Sequence, residues 1–584
     1  MVRHKQKKKT PSNETGASFL SPRLLWMLGI GLISLFWLVL KMFGMNAYGG
    51  DEHIYLYQAQ LVSEGVAPYS GFAMAHPPLQ AALTAVLLKV FGYQFLMARM
   101  LPVAWCLAGG LVLAVMVRRE SGFVASAAAL ALYILAYEPL RASSHFTGVN
   151  MTTTLMLVAF MTARTGHIKV CAGFCVAAVF TRLYAAPGVI ALTVWILVSD
   201  RRAGLRLIAW GAGIGTVVFL AVGAWAGFED MVHNMLRYHA QKTPMKPESL
   251  ANMKANVLFH NALPLAIFAL SVPAMFGAMA RRWKQSASDL RIVERLSDAI
   301  RGARISLPLL GAFTAALFGL ILLNMDRVWM YYFVPSFPFA AMAGGWLVSR
   351  LFQGGVRLFL DRRRASATGL NRVTIAGGVI AVACILAAFF FGPRLESRLG
   401  YYQKEIDLPV AKRTHEYTWK DGMLPGPVND AVRSVIWSDQ RTIGDNYWSY
   451  TYYLWHESRH LDVVDEITRE IIARTDEGYS IFGDSGTVPL FALLTGRSIA
   501  AAEVDTNIQR YRSGNADPGD LIRRIDEPGT RLIILRNRFG IAGLPQVQKL
   551  IASRYKLVRK FVTAQKKLYL MYERKPEPDG DMQR

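Results

Sequence analysis

The chain has 584 residues, 53% of them hydrophobic and only 18% charged, with a formal net charge of +24 at pH 7. A soluble protein carries about 25% charged residues, and here the apolar residues gather in blocks of roughly 17 to 25, the length that crosses a bilayer. An ordinary soluble enzyme is excluded, and because Lys and Arg cluster in short segments between apolar blocks, the charge reads as membrane topology and not as a nucleic-acid surface.

In chain order, the basic start MVRHKQKKK (within 1–23) resembles a signal-peptide n-region. The apolar run that follows is about 20 residues long and has no A-x-A cleavage site, so it reads as a first, uncleaved span. Spans are expected at 24–43, 95–117, 121–139, 149–163, 168–183, 185–198, 205–226, 257–279, 305–323, 329–349 and 373–391. With the N-terminus inside, the cytoplasmic segments hold 24 Lys and Arg and the opposite loops hold 7, which sets N-in and C-out. The fold class is therefore a polytopic α-helical membrane protein of about eleven transmembrane helices. All four cysteines, Cys106, Cys171, Cys175 and Cys384, lie in apolar segments and leave none for a disulfide in the polar C-terminal region.

The block HPPLQAALTAVLLKVFG (76–92) is apolar, but counting it as a span would invert every later loop. Its run is only about 14 residues and it opens on two prolines, which suit a helix start. The outer loop 44–94 is thus expected to carry two interfacial helices, 51–64 and 77–91. Beyond the membrane region 24–393, charged residues become frequent and apolar runs shorten to strand length. YSIFGD (479–484) and TRLIILRN (530–537) read as buried parallel strands, and KKLYLMYER (566–574) as a late strand. VVDEITREIIART (463–475) and PGDLIRRI (518–525) have helical spacing. Residues 394–575 therefore form an extracytoplasmic three-layer α/β domain. It lacks G-x-G-x-x-G and Walker A patterns, so no nucleotide site is indicated. The tail 576–584 reads as disordered.

Candidate chemistry concentrates on the outer side. YGGDEHIYLYQAQ (48–60) places Asp51 and Glu52 at the head of an aromatic-rich segment immediately after the first span. Acids at a helix start are also ordinary caps favoured by the macrodipole, but at the mouth of a helical bundle an Asp can serve as a general base toward a hydroxyl. His76, Arg141, His145, Asn150, Arg182, RYHAQK (237–242) with Tyr238 and His239, and the pair Tyr331-Tyr332 fall on the same side. Singly, the arginines could snorkel and the tyrosines form an aromatic belt. Together, one base and several cations suit an anionic lipid-linked substrate, since Arg offers fixed donors to phosphate. The trio His53, His76 and His145 lacks metal-ligand spacing.

Asp51-Glu52-His53-Ile54-Tyr55 followed by His76-Pro77-Pro78-Leu79 resembles the GT-C membrane glycosyltransferases, within them the protein O-mannosyltransferase and aminoarabinose-transferase branch. Weaker echoes are Thr181-Arg182, Tyr238-His239, YYFVP (331–335) and IFGDSGTVPL (481–490) with Gly496-Arg497. The resemblance implies transfer of a sugar, with inversion, from a polyprenyl-phosphate carrier to a hydroxyl of a lipid, glycan or protein on the outer face of the cell membrane, usually without metal or nucleotide cofactor. It implies Asp51 as the base, Glu52 and Tyr55 as shaping residues, and His76 with Arg141 or Arg182 as the phosphate holders. His76 departs from the Lys usual before P-P-L, and Asn150 from the acid common at that place. The rival readings are a lipid or solute transporter, for which no inverted repeat is visible, and a non-catalytic glycan-binding relative. An oligosaccharyltransferase is disfavoured by the absence of a W-W-D-type motif.

Overall fold

In the computed structural model the described residues are 22–42, 51–93, 95–241, 243–285, 300, 305–362, 463–527, 529–536, 540–563 and 568–576. The expected span 373–391, the basic segment before residue 22, the first part of the α/β region and the tail from 577 lie outside them. Helices α1 (Pro22–Met42), α2 (Asp51–Ser63), α3 (Leu79–Phe91), α4 (Phe95–Ile134), α5 (Tyr137–Ala142), α6 (Val149–Arg164) and α7 (Ile168–Thr181) come first. Further helices follow at Ala186–Ser199, Arg201–Ala226, Pro247–His260, Ala262–Gln285, Ser306–Asn324 and Phe337–Arg362.

Four described helices are long and apolar enough to cross a membrane: Ala98–Ile134, Arg201–Ala226, Ala262–Gln285 and Ser306–Asn324. Their apolar side chains also point outward. Leu205, Ile208, Trp210, Val217, Leu220 and Trp225 of one helix are all exposed, an arrangement that is stable only where the surrounding solvent is hydrocarbon. The chain is an integral membrane protein. The expected boundary between 95–117 and 121–139 appears inside α4, where Gly122 leaves the helical region at φ 89°. Packing among these helices is close. A Cβ on Gly345 would lie 2.5 Å from the Ala125 carbonyl oxygen, the small-residue contact through which helices approach without a hydrophobic driving force.

Among the described residues the C-terminal region forms a five-stranded sheet with order β2-β1-β3-β5-β4, made of β1 (Ser480–Gly483), β2 (Ser498–Ile499), β3 (Thr530–Arg536), β4 (Tyr555–Val562) and β5 (Leu568–Arg574). β1 pairs in parallel with β2 and β3, while β5 runs antiparallel to β3 and β4. Alternation along the strands feeds two cores. Ile481, Leu532 and Ile534 pack with helix Val464–Arg474 and helix Val488–Thr495, whereas Phe482, Ile533 and Leu535 pack with Leu521, Ile525, Val547 and Leu550 on the other face. Helices thus cover both faces. Pro518 at the first helical position and Asp517, which accepts from Gly519 N and Asp520 N, start one of them.

Two contacts matter most for the site. α2 packs against helix Val488–Thr495, and the Tyr57 hydroxyl accepts from Ile499 N at 2.9 Å. The helix headed by Asp51 is therefore held between the bundle and the sheet domain.

Candidate active site

α2 begins at Asp51, which is exposed, while eight of its thirteen residues are buried. The two carboxylates that open it therefore have different environments. Glu52 is 1% exposed, 3.0 Å from the Arg99 guanidinium and 3.2 Å from His53 Nε2, and its second oxygen accepts from Phe146 N at 3.4 Å. A carboxylate withdrawn this far from water needs such a partner. Glu52 is thus an anchor of α2, and Asp51 is the acid that faces solvent.

The Arg99 guanidinium also donates to the Ser144 carbonyl, while the Lys41 ammonium at the end of α1 donates to Leu140 O at 2.7 Å and to the Ser144 hydroxyl. Arg182 Nε donates to Thr147 O at 2.8 Å. Four buried charged side chains, Lys41, Glu52, Arg99 and Arg182, therefore grip the turn 143–148 that carries His145. Gly148 closes the turn at φ 74°, and a Cβ there would sit 2.3 Å from Gln80 Oε1 and 2.9 Å from Arg182 Nε. Only glycine fits.

Arg182 occupies one extended residue (φ −151°, ψ 130°) between α7 and a 3-10 turn. Its Nη2 donates to Gln80 Oε1 at 3.0 Å, and its guanidinium carbon lies 4.4 Å above the Tyr55 ring, a cation–π distance. The Tyr55 hydroxyl is 3.2 Å from His76 Nε2, and the His76 ring lies 5.5 Å from that of His239. His239 Nε2 in turn meets Ala75 O at 2.6 Å and the Tyr69 hydroxyl donates to His76 O at 2.8 Å, fixing the stretch before Pro77. Burial, opposed by Arg182 and reinforced by the Asp51 charge, raises the Tyr55 phenol well above its ordinary range. Tyr238, buried beside Asp505 and Asp51, is raised in the same way. Both stay protonated and act as neutral hydroxyls.

The structure thus brings Tyr55, His76, Arg182 and His239 together under the head of α2, where Asp51 sits. Tyr332 stacks on Tyr184 at 5.2 Å and meets Tyr331 edge-on at 4.9 Å. Arg141 is placed otherwise: it is 7% exposed and pairs with Glu138 at 3.0 Å. Asn150 is 2% exposed, donates to Ala142 O at 3.0 Å and leaves its Oδ1 unpartnered at the wall of an apolar cavity of about 340 Å³ between α3 and α4. Of the cations expected to hold an anion, Arg141 and Arg182 are buried and engaged, whereas His76 is half-buried and faces its partners from the loop side. Among the described residues no group of three or more His, Cys, Asp or Glu is placed to hold a metal ion.

Lys41, Gln80, Arg99 and Glu138 were not singled out from the sequence. A signal existed for three of them. Lys41, Arg99 and Glu138 are ionisable residues within expected spans, where a charge persists only with a partner or a task.

No family model matches the chain, and no curated protein matches it in sequence. Solved structures do. ArnT from Cupriavidus metallidurans bound to undecaprenyl phosphate aligns with a TM-score of 0.55 at 15% identity, over 94% of this chain and 98% of that one. The apo form of ArnT aligns with the same TM-score and coverage at 14% identity. Along nearly the whole of both chains, the protein has the GT-C fold of ArnT.

Proposed function

We propose that the protein is a glycosyltransferase that moves a sugar from a polyprenyl-phosphate carrier to a hydroxyl acceptor on the extracytoplasmic face of the membrane, with Asp51 as general base. The observation that carries this reading is the division of labour at the head of α2. Glu52 is buried against Arg99, while Asp51 is exposed to solvent, and its charge acts on Tyr55 of the Tyr55–His76–Arg182 cluster. The shared fold with ArnT, whose structure holds undecaprenyl phosphate, supports the choice of donor.

Asp51 takes the proton of the acceptor hydroxyl, and the oxygen forms a bond to the anomeric carbon from the face opposite the phosphate. The bond from that carbon to the phosphate oxygen breaks with its electron pair on the leaving oxygen, so the configuration inverts and polyprenyl phosphate is released. The leaving phosphate gains one negative charge, and stabilising it lowers the barrier. His76 and His239 stand on the loop side, where a phosphate would meet them. Arg182 supports them from beneath the Tyr55 ring and orders the turn 143–148. The reading needs no bound metal or nucleotide.

The test is sugar transfer in proteoliposomes with radiolabelled polyprenyl-phosphate sugars and a membrane acceptor extract. Asp51→Asn is expected to lose about 10²- to 10⁴-fold in rate while keeping donor binding. Equal rates for the two proteins would remove Asp51 from the chemistry and leave it a helix cap.

A further inference from the structure

A second cavity adjoins the cluster just described, sharing Tyr69 with it. It has a volume of about 490 Å³ and is walled by the loop 69–73, the helical turn around Glu229–Asn234 and residues 501–524 of the sheet domain. That size falls in the range of small-molecule sites, about 300–1,000 Å³. Three non-glycine residues in the described chain have left-handed backbone, Tyr69 (φ 67°), Ala501 (φ 56°) and Ala502 (φ 51°), and all three line this cavity. Such conformations are costly and gather where a ligand is clamped.

The lining is polar and mixed in charge. Four carboxylates (Glu229, Asp230, Glu503, Asp520) face two arginines (Arg510, Arg524) and one imidazole (His233). Neither arginine is held in reserve for an anion. Glu503 pairs with Arg510 and lies 2.9 Å from Arg524, whose Nε is 3.1 Å from Asp520. Asn515 adds a carbonyl oxygen that is shut off from solvent and has no hydrogen-bond partner. The cavity therefore offers many acceptors, few uncommitted cations and an excess of negative charge, which repels phosphates and uronates and accommodates hydroxyl and amino groups.

The loop has a second connection. It is the same stretch that ends in His76, tied by Tyr69 to His76 O and by Gln58 Nε2 to Ala73 O at 3.0 Å. We propose that this cavity is a saccharide subsite that seats a neutral or amino-bearing glycan portion of the acceptor. The assignment rests on the glycosyltransferase reading for the word acceptor, but its binding chemistry stands apart from catalysis.

The experiment measures binding of three disaccharides to the full chain in nanodiscs without donor, by calorimetry. The probes are chitobiose, its doubly deacetylated diamine and a diuronate disaccharide. Chitobiose and the diamine are expected to bind, the diamine more tightly, and the diuronate not. Ser70→Trp, at an exposed position of the wall, should abolish binding of both sugars with an unchanged unfolding midpoint. Glu229→Lys should weaken the diamine about tenfold relative to chitobiose. Absence of sugar binding, binding unaffected by Ser70→Trp, equal binding of the diuronate, or a tri-lysine peptide binding in place of the sugars would each overturn the assignment. Asp51→Asn should bind the sugars normally. Sugar binding with no transfer from any donor would sink the glycosyltransferase reading while sustaining the subsite, and transfer without sugar binding would do the reverse.

Discussion

The most demanding consequence of the structure concerns Glu52. Substituting Gln keeps the shape and the acceptor for Phe146 N, but removes the carboxylate charge 3.0 Å from the Arg99 guanidinium, which is buried at 2% exposure and also donates to the neutral Ser144 carbonyl. Removing one member of a buried pair costs about 3–5 kcal/mol, because the remaining charge stays out of water without its counterion. At roughly 2–4 °C per kcal/mol for a unit of 150–250 residues, the unfolding midpoint of Glu52→Gln falls by at least about 6 °C. Thermal unfolding of the purified chain in detergent, followed by tryptophan fluorescence, checks this. The double variant Glu52→Gln/Arg99→Met should recover most of the loss, since the Arg99 charge is then removed together with its carboxylate partner. A single variant within about 1 kcal/mol of wild type, or a double variant no better than the single, would show that the pair does not anchor α2.

Three further outcomes follow from the same geometry. Gly148→Ala places a methyl against Gln80 Oε1 and Arg182 Nε, so it should reduce transfer by about a hundredfold or more, in line with a misplacement of about 1 Å at a reacting site, with circular dichroism unchanged. Tyr55→Phe keeps the ring under Arg182 and loses only the hydroxyl beside His76. Its initial transfer rate, measured beside wild type, should fall about fivefold, the worth of one neutral hydrogen bond. Asp484 follows β1 in the sheet domain, and burial pushes its carboxyl up to about 7, against the pull of hydrogen bonds from Arg536 N and Ile541 N. A folded value above the unfolded one means the folded chain holds the proton more tightly. Asp484 therefore contributes stability below about pH 4 that is lost as pH rises toward 7; Asp484→Asn should flatten that slope in unfolding midpoints measured from pH 4 to 8.

Much of the architecture was legible because its physical causes are local. Strands at Ser480–Gly483 and Thr530–Arg536 follow from unbroken apolar runs bounded by turn residues, and helix Pro518–Ile525 from its cap and spacing. Strand β4 was missed, because YKLVRKFV alternates charge with apolar residues at the sheet edge and exposes much of its length. The parallel reading held for β1 with β3 and failed to foresee that β5 reverses beside β3. At the site, Asp51 and Glu52 look equivalent in one dimension. Their difference depends on Arg99, 47 positions later, and on a turn at 143–148 whose grip involves side chains from α1, α2, α4 and the end of α7. Long-range partners of that kind leave no periodic trace. The burial of Arg141 against Glu138 was unreadable for the same reason, although the pair is only three residues apart, because nothing local says which side of α5 faces inward.

The Tyr57–Ile499 hydrogen bond and the Glu52–Arg99 pair lie on one short helix but belong to different halves of the molecule. α2 therefore behaves as a rigid splint between them. Any tilt of the sheet domain relative to the bundle must either break one of these two fastenings or carry the Asp51 carboxylate with it. A change in the sheet domain would then shift the position of the Asp51 carboxylate. Exchanging sheet domains among proteins of this fold should accordingly require the face of α2 to be exchanged with them.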